Sequence, residues 1–240
     1  GQPKYLNSPE TAVFNKSSTL FGLYQTKAAI RQARKCLVVE GNFDLLSLVA
    51  RGLEYVVAPL GTALTAQHVK ILKRYTSEAI VLFDGDQAGI KAAMRSVPLF
   101  LAEQLDARVV VLPSDQDPDS FINKFGKETL EQKIKQAKEL PEFLFGRLVE
   151  EHGLSLAGKG RILRELQPVI ASIGNRPLQK NLFVAHFSDK LGLPPEAMLD
   201  SAAFPPAGQR SAPAPPAAKP LQLSRNYRRV LEFLLVYPDT

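Results

Sequence analysis

Acidic residues follow three apolar segments of this sequence at the point where each segment ends. Glu40 closes the run CLVVE (36–40), an Asp-Gly-Asp triplet follows AIVLF (79–83), and an Asp-Pro-Asp triplet lies just beyond ARVVVL (107–112). If these runs are neighbouring parallel strands, their carboxylates meet at one edge of a sheet, where α/β proteins bind ligands. Oxygen ligands without His or Cys select hard cations, so we expect a Mg²⁺ or Mn²⁺ site. Its candidate ligands are Glu40, Asp44, Asp84, Asp86, Asp117 and Asp119.

Most of these acidic residues also have a purely local interpretation when they are taken one at a time. Asp-Gly is a common turn dipeptide, which covers Asp84. Asp117 before Pro118 suits the start of a helix, and so does Asp44 in the first turn of another. Glu40 has no such explanation, because Asp or Asn would serve a turn or a cap better. The joint placement of the set therefore favours a cation site over separate turns and caps.

The elements that must position these residues alternate between strand-like and helix-like segments. Continuous apolar strands separated by amphipathic helices predict a parallel sheet that is covered on both faces and joined by right-handed crossovers. The predicted strands are 36–40, 54–58, 79–83 and 107–112, and the helices between them are 42–52, 66–75 and 87–104.

Beyond residue 117 the sequence predicts helices and no further strand, which makes an α/β domain followed by an α-helical subdomain. The stretch 17–35, before the first strand, is also predicted to be helical. The Pro/Ala-rich stretch is expected to be an extended linker. The predicted organisation is a basic N-terminal subdomain ending at residue 35, the α/β domain over 36–125, the helical subdomain over 126–201, the linker over 202–220 and a further helical module starting at 221–240; the predicted subdomain helices are 127–138, 141–152, 157–173, 177–191 and 195–201.

Charge and composition indicate what kind of partner and cellular setting the protein has. The net charge is +6, and residues 1–35 alone carry +5, which suggests a basic arm beside an acidic centre, as in a protein that binds phosphate backbones. The single Cys36 lies in an apolar run and indicates a reducing, cytoplasmic setting. No apolar run is long enough to span a bilayer and no leader is evident, so we expect no membrane association. The first residue is not Met, which suggests a piece of a longer protein.

The acidic pattern resembles the Toprim domain, which is shared by type IA and type II topoisomerases, bacterial primases, and OLD- and RecR-type repair proteins. That domain has a Glu after its first strand and an Asp-x-Asp after a later strand, which Glu40 and the pair Asp84 and Asp86 match. The resemblance implies a Toprim-type parallel sheet flanked by helices, but it leaves the activity open.

Further motifs are similar to those of the DnaG-type replicative primase family, in the same order and with similar spacing. The first of them is the most informative, because topoisomerases and RecR proteins have nothing like it. The family often has an aromatic residue at the position of Asn42, and Gln116 also departs from its pattern. The motifs are PKYLNSPET (3–11), VFNKSSTLFGLY (13–24), VVEGNFDLL (38–46), APLGTALT (58–65), LFDGDQAGIKAA (82–93) and LPSDQDPDSFI (112–122).

This resemblance implies template-directed synthesis of short RNA primers on single-stranded DNA from nucleoside triphosphates, with two or more Mg²⁺ or Mn²⁺ ions. It implies that Asp84, Asp86 and Glu40 are catalytic, with Glu40 a ligand or the proton acceptor, and that Asp44 is a supporting ligand. Zinc belongs to an N-terminal module of the family that is missing here. The residues expected to contact template or nucleotide are Lys4, Asn7, Lys16, Gly61 and Thr62.

The resemblance also implies a partner, the replicative helicase, which would bind through the module that begins at 221–240. Two alternatives remain at this point. The chain could be another Toprim enzyme, a topoisomerase or nuclease, although none of its six tyrosines stands out as a transesterifying residue. It could also be a non-catalytic DNA-binding protein of the RecR kind. His68, His152 and His186 are expected to be ordinary, isolated histidines.

Overall fold

A six-stranded mixed sheet with helices on both faces forms the first part of the molecule. The computed structural model describes residues 11, 14–114 and 116–199. The strand order is β1-β3-β2-β4-β5-β6. The four central strands are parallel, and the two edge strands β1 and β6 pair antiparallel with β3 and β5. The strands are β1 (Leu20–Phe21), β2 (Cys36–Val38), β3 (Val56–Pro59), β4 (Glu78–Phe83), β5 (Asp106–Val111) and β6 (Lys138–Glu139).

The helices are placed as the alternating pattern predicts, with bounds that are shorter by a few residues at several ends. The helix predicted over 127–138 is an exception, because it begins at Pro118 and ends at Lys135. A short 3-10 helix over Lys16–Ser18 precedes the first strand. The α-helices are α1 (Leu23–Ala33), α2 (Asn42–Ala50), α3 (Ala66–Leu72), α4 (Gln87–Glu103), α5 (Pro118–Lys135), α6 (Leu140–His152), α7 (Leu156–Ser172), α8 (Pro177–Leu191) and α9 (Pro195–Leu199).

Successive residues of each strand pack into two separate apolar cores, because side chains alternate between the faces of a sheet. Val38 and Val81 pack on one face with α1, α3 and α4, and this core continues into the helical subdomain. Leu37 and Ile80 pack on the other face against α2 and α5. Both kinds of position are apolar since both faces are covered, which explains why the strands read as continuous apolar runs.

The direction in which the chain adds strands to the sheet reverses between β2 and β4. The chain goes from β2 outward to β3 on one side and then returns to β4 on the other side of β2. Val38, the last residue of β2, lies opposite Val81, and β4 continues for two more residues to Phe83. Glu40, two residues beyond Val38, therefore follows β2 at about the level where β4 ends. A reversal of this kind opens a crevice at the carboxyl ends of the strands, which is the usual ligand site of such sheets.

Two predictions about the edges of the fold are wrong. The single helix predicted over 17–35 is interrupted, because Gly22 has a φ of 81° and separates strand β1 from helix α1. A strand also follows residue 117, since Lys138–Glu139 pairs with β5. Both strands have only two residues, too few for an alternating pattern to be recognised.

The helical subdomain begins within α5 and continues to α9. The chain changes direction at Gly126, whose φ of 81° and ψ of 169° are not helical. Helices α6 and α7 pack on α4 and extend the core on that face of the sheet. Of the helices in the described ranges, none is long and apolar enough to cross a membrane. The predicted linker and the module at 221–240 lie outside the described residues.

Candidate metal and nucleic-acid site

All six predicted carboxylates lie at the carboxyl edge of the parallel strands. Glu40 follows β2, Asp84 and Asp86 follow β4, and the Asp-Pro-Asp segment follows β5, the strand next to β4. The strand order therefore brings together groups that are 79 positions apart in the sequence, from Glu40 to Asp119. The sequence predicted this convergence on the condition that the strands are neighbours, and they are.

Asp44 links two of the acidic segments directly. It is the third residue of α2, and its Oδ2 accepts a hydrogen bond from the Gly41 N–H at 3.1 Å. Its Oδ1 accepts from the Asp119 N–H at 3.3 Å, so the loop after β2 is tied to the start of α5. Burial, followed by the charges of Asp84 and Asp117, raises the pKa of Asp44 to about 6, although the two hydrogen bonds act in the opposite direction.

The pKa values of Glu40 and Asp84 are raised for the same reasons as that of Asp44. Glu40 is exposed, but neighbouring groups desolvate its carboxylate, and this effect together with the charges of Asp84, Asp86 and Asp44 raises its pKa. Desolvation and the charges of Asp117 and Asp86 likewise raise the pKa of Asp84. Like charges therefore meet at this edge, and a bound cation would lower the electrostatic cost of keeping them ionised.

Asp86 and Asp117 each cap a helix. Asp86 Oδ1 accepts from the Gly89 N–H at 2.7 Å at the start of α4. Asp117 Oδ1 accepts from the Ser120 N–H at 2.7 Å at the start of α5. The local interpretation of Asp117 is therefore correct, whereas the cap at Asp86 was not predicted. Neither cap excludes metal binding, because each carboxylate has a second oxygen.

Gly85 separates the two Asp residues after β4 because another segment passes directly against it. A Cβ atom at this position would lie 2.0 Å from the Pro113 carbonyl oxygen and 2.5 Å from that of Leu112. The Gly85 N–H donates to the Gln116 carbonyl at 3.2 Å, which fixes the loop after β5 beside the loop after β4. The glycine is needed for backbone packing, and this packing keeps Asp84 close to Asp117.

The six carboxylates do not form a closed coordination shell. Within the described ranges, one group of three side chains places its ligand atoms within 4.8 Å of one another, and it lies elsewhere, on α6 and α7. It consists of Glu151, His152 and Glu165, and the His152 Nε2 atom lies 2.6 Å from Glu165 Oε1. His152 is therefore not isolated as expected, since it pairs two neighbouring helices. At the acidic edge, a single cation would need side chains to rotate before three of them could bind it.

A cavity of about 550 Å³ opens beside Glu40. Gly61 and Thr62, predicted to border the site, line this cavity together with apolar side chains from β2 and β4. Arg95 of α4 lines it as well, and its charge acts on Glu40 in the direction that lowers the pKa of Glu40. Sequence reasoning missed Arg95, although it shares one helix face with the apolar Ala92 and Leu99.

The backbone of Lys16 is held near the segment of Gly61 and Thr62 by His68, which the sequence analysis treated as an ordinary histidine. His68 is fully buried, and its Nδ1 accepts from the Thr65 N–H at 3.2 Å. Nε2 therefore carries the proton and donates to the Lys16 carbonyl at 2.8 Å. Burial lowers the pKa of His68, which agrees with a neutral ring. Lys4 and Asn7 lie outside the described residues.

The basic N-terminal region does not lie wholly beside the acidic edge. Arg31 and Arg34, at the end of α1, line a depression formed by residues that precede β4 and β5. The expected pairing of a basic arm with an acidic centre is therefore wrong for these residues, because α1 runs away from that edge.

The raised pKa of Asp44 predicts how stability depends on pH. Because the folded state holds this proton more tightly, its contribution to stability is complete below about pH 4 and is lost as the pH rises through about 6. Between pH 5 and pH 7.5, the free energy of unfolding of the wild type should fall relative to that of Asp44→Asn by about 1 kcal/mol, after allowance for solvent screening. Urea unfolding at the two pH values measures this difference, and added MgCl₂ should reduce it at pH 7.5. An equal pH dependence of both proteins would contradict the raised pKa.

The geometry of this edge agrees with comparisons with known proteins. A family model described as Toprim-like matches residues 37–122, which include all of β2 to β5 except Cys36 and contain the six carboxylates. The α/β part of the chain is thus a Toprim-like domain. The model of the N-terminal domain of the DNA primase catalytic core matches residues 1–27, and the model of the DnaB-helicase binding domain of primase matches residues 141–196.

The relatives narrow the class to one family. The chain is 37% identical over 240 residues to a DNA primase of Escherichia coli strain K12, covering 98% of this chain and 40% of that protein. It is similar to the crystal structure of a DNA primase domain from Pseudomonas aeruginosa, with a TM-score of 0.77, 35% identity and coverage of 85% of this chain and 65% of that one. It is also similar to a DnaG primase catalytic domain bound to single-stranded DNA, with a TM-score of 0.68, 36% identity and coverage of 80% and 62%. The chain belongs to the DnaG-type family of bacterial DNA primases, and it spans about 40% of the length of the curated relatives it matches.

Proposed function

We propose that the chain forms the catalytic part of a DNA primase, which synthesises short RNA primers on single-stranded DNA in a metal-dependent reaction. The observation that carries this proposal is the convergence of six carboxylates at the reversal point of a Toprim-like sheet, where burial and then the neighbouring like charges raise the pKa of Glu40, Asp44 and Asp84. The names of the relatives support the activity, and the neighbour bound to single-stranded DNA supports the substrate.

Divalent cations fit the donor set of the acidic edge. All the donors are carboxylate oxygens, which suit Mg²⁺ or Mn²⁺, and their mutual repulsion favours a cation over an empty site. When bound, such ions activate the attacking hydroxyl and neutralise charge on the leaving pyrophosphate. We assign cation binding to Asp84, Asp86, Asp117 and Asp119, with Asp44 as a supporting ligand.

Glu40 is proposed as a further ligand or as the acceptor of the proton from the primer 3′ hydroxyl. Its raised pKa makes it a better proton acceptor than an ordinary carboxylate, and it borders the cavity beside the edge. Asp86 and Asp117 contribute mainly by position, since their helix caps fix them on rigid elements. Phosphoryl transfer asks a protein chiefly for such positioning and for charge stabilisation.

The template and the nucleotide are proposed to bind on the side of the edge that Gly61 and Thr62 border. These two exposed residues line the cavity with Glu40, and Lys16 is anchored nearby through His68. Lys4 and Asn7 are assigned to the same groove by resemblance alone. A basic groove of this kind would follow the phosphates of a single strand.

A helicase is the proposed protein partner. The match to the helicase-binding model falls on residues 141–196, which form almost all of α6 to α8 and the first two residues of α9. It does not fall on the module at 221–240, to which the sequence assigned that role. We therefore propose that the helical subdomain contributes to this contact.

The activity can be tested in a chimera in which this chain replaces the matching region of the E. coli relative, because the chain spans 40% of that protein. Purified chimera, single-stranded circular DNA, Mg²⁺ and labelled ribonucleotides should yield short labelled RNA. Omission of the template or chelation of the metal should each abolish the product. A chimera that makes no RNA but nicks or relaxes supercoiled DNA would instead favour a topoisomerase or nuclease.

A further inference from the structure

A basic depression lies at the edge of the sheet opposite the carboxylates. It has a volume of about 520 Å³ and is lined by residues that end α1 and α3 and by residues that precede β4 and β5. These residues are at the amino ends of the parallel strands, whereas the carboxylates follow the carboxyl ends. Strand β4 has 6 residues, so the two edges are about 20 Å apart at about 3.3 Å per residue.

Four cationic side chains line the depression, and they outnumber the acidic ones. Asp106 is the acidic side chain that lines it. In the part of the chain that the structure describes, no ion pair joins any of the four cations to a carboxylate. The four are Arg31, Arg34, Lys73 and Arg74.

Interactions with helix C-termini account for only some of the four cationic side chains. Cations near a helix C-terminus offset its partial negative charge, and Lys73 does so when its Nζ donates to the Glu103 carbonyl at 2.7 Å. Arg31 lies over the Tyr75 ring, 5.1 Å from the centroid. The guanidinium groups of Arg34 and Arg74 are exposed, and neither bonds to a carbonyl or a carboxylate within the described residues. These two groups remain available to a ligand.

The backbone under the two arginines is fixed. Arg34 adopts the left-handed conformation, with a φ of 54°, and its N–H donates to the Arg31 carbonyl at 3.3 Å. The Arg74 N–H donates to the Ile71 carbonyl at 3.1 Å. The two positions are therefore held by defined turns, beside an aromatic ring and around one concave surface.

We propose that this basic depression binds the phosphate backbone of a single-stranded nucleic acid that also reaches the acidic edge. The inference rests on the proposed function, which supplies such a strand. Forked guanidinium groups suit phosphate oxygens, and a half-buried tyrosine among cations is typical of surfaces that follow a single strand. At the duplex rise of about 3.4 Å per phosphate, the direct distance of about 20 Å corresponds to about six nucleotides, and a strand that passes around the covering helices needs more.

Oligonucleotide length provides the test. We compare Arg34→Gln/Arg74→Gln with the control Arg161→Gln/Arg164→Gln, which removes the same charge from exposed positions on α7. Fluorescence anisotropy with labelled oligothymidylates of about 4 and about 16 nucleotides, below and above the length that reaches both edges, measures affinity over a salt series. For the long strand, the first variant should bind roughly tenfold more weakly at low salt, and its salt dependence should be flatter by about 1.4 in the log–log slope. The control should match the wild type, and Arg34→Lys/Arg74→Lys should restore most of the affinity.

Other outcomes would overturn the proposal. Equal losses for the long and short strands would mean that the depression takes isolated phosphate groups, and competition by tripolyphosphate at equal phosphate concentration would give the same conclusion. Losses no greater than those of the α7 control would mean that the charge is not used for binding. Failure of the primase assignment is a separate result, because it would appear as absent RNA synthesis in a protein that still binds long strands.

Discussion

Replacement of Asp84 by Asn is expected to abolish RNA synthesis, with a loss of rate on the order of 10³-fold or more. Asp84 lies where desolvation and the charges of Asp86 and Asp117 already raise its pKa, which marks it as central to the acidic edge. Asn keeps the size of the side chain but removes the charge that would hold a cation. Primer synthesis in the chimera measures the rate, and calorimetry with Mn²⁺ measures the loss of cation binding.

Two substitutions of Asp86 separate the effect of its charge on RNA synthesis from its effect on stability. Asp86→Asn keeps a good helix cap and loses the charge, whereas Asp86→Ala loses both and should destabilise the protein by about a further 1 kcal/mol. The two variants should lose RNA synthesis to the same extent while differing in stability. Far-UV circular dichroism should be unchanged for Asp84→Asn, and wild-type synthesis by that variant would remove Asp84 from the metal site.

Replacement of Gly85 by Ala is expected to destabilise the protein by about 2 kcal/mol or more. The added Cβ would lie 2.0 Å from the Pro113 carbonyl oxygen, which belongs to backbone and cannot rotate away as a side chain would. The loop after β5 must therefore move, and Asp117 moves with it. Urea unfolding measures the stability, and primer synthesis should fall even at temperatures where the variant remains folded.

Gly146 provides the control for this substitution. It lies within α6, and a Cβ atom there would meet nothing within 4 Å. Gly146→Ala should therefore stabilise the protein by about 0.5–1 kcal/mol, because Ala has the higher helix propensity. If Gly85→Ala behaved like Gly146→Ala, the close approach of the two loops would not exist in solution.

The acidic edge was predictable from sequence because its two requirements are local. Continuous apolar runs mark buried parallel strands, and the acidic groups follow those runs directly, so Glu40 and Asp84 could be assigned to one edge once the strands were adjacent. The order of the strands was not predictable in the same way, since no single segment encodes the reversal between β2 and β4. The sequence analysis therefore left the adjacency of the strands as a condition.

Contacts between distant segments were beyond sequence reasoning. Nothing near Asp44 indicates that its carboxylate accepts from Asp119, 75 positions away. Arg95 left a weak signal, a cation on the apolar face of a helix, but the same pattern is common where a long side chain merely extends to solvent. His68 resembled any core histidine, because its role depends on the carbonyl of Lys16, which lies 52 positions earlier in the sequence.

The caps at Asp86 and Asp117 have a consequence for ion selectivity. Hydrogen bonds of 2.7 Å from the first turns of α4 and α5 immobilise one oxygen of each carboxylate when the protein folds. If these residues bind a cation as proposed, they would lose little further rotamer freedom on binding it. Stiff donors favour small ions that demand regular octahedral geometry and penalise large ions that depend on pliable surroundings. The preference for magnesium over calcium would thus result from the two helix caps, which make the carboxylates rigid.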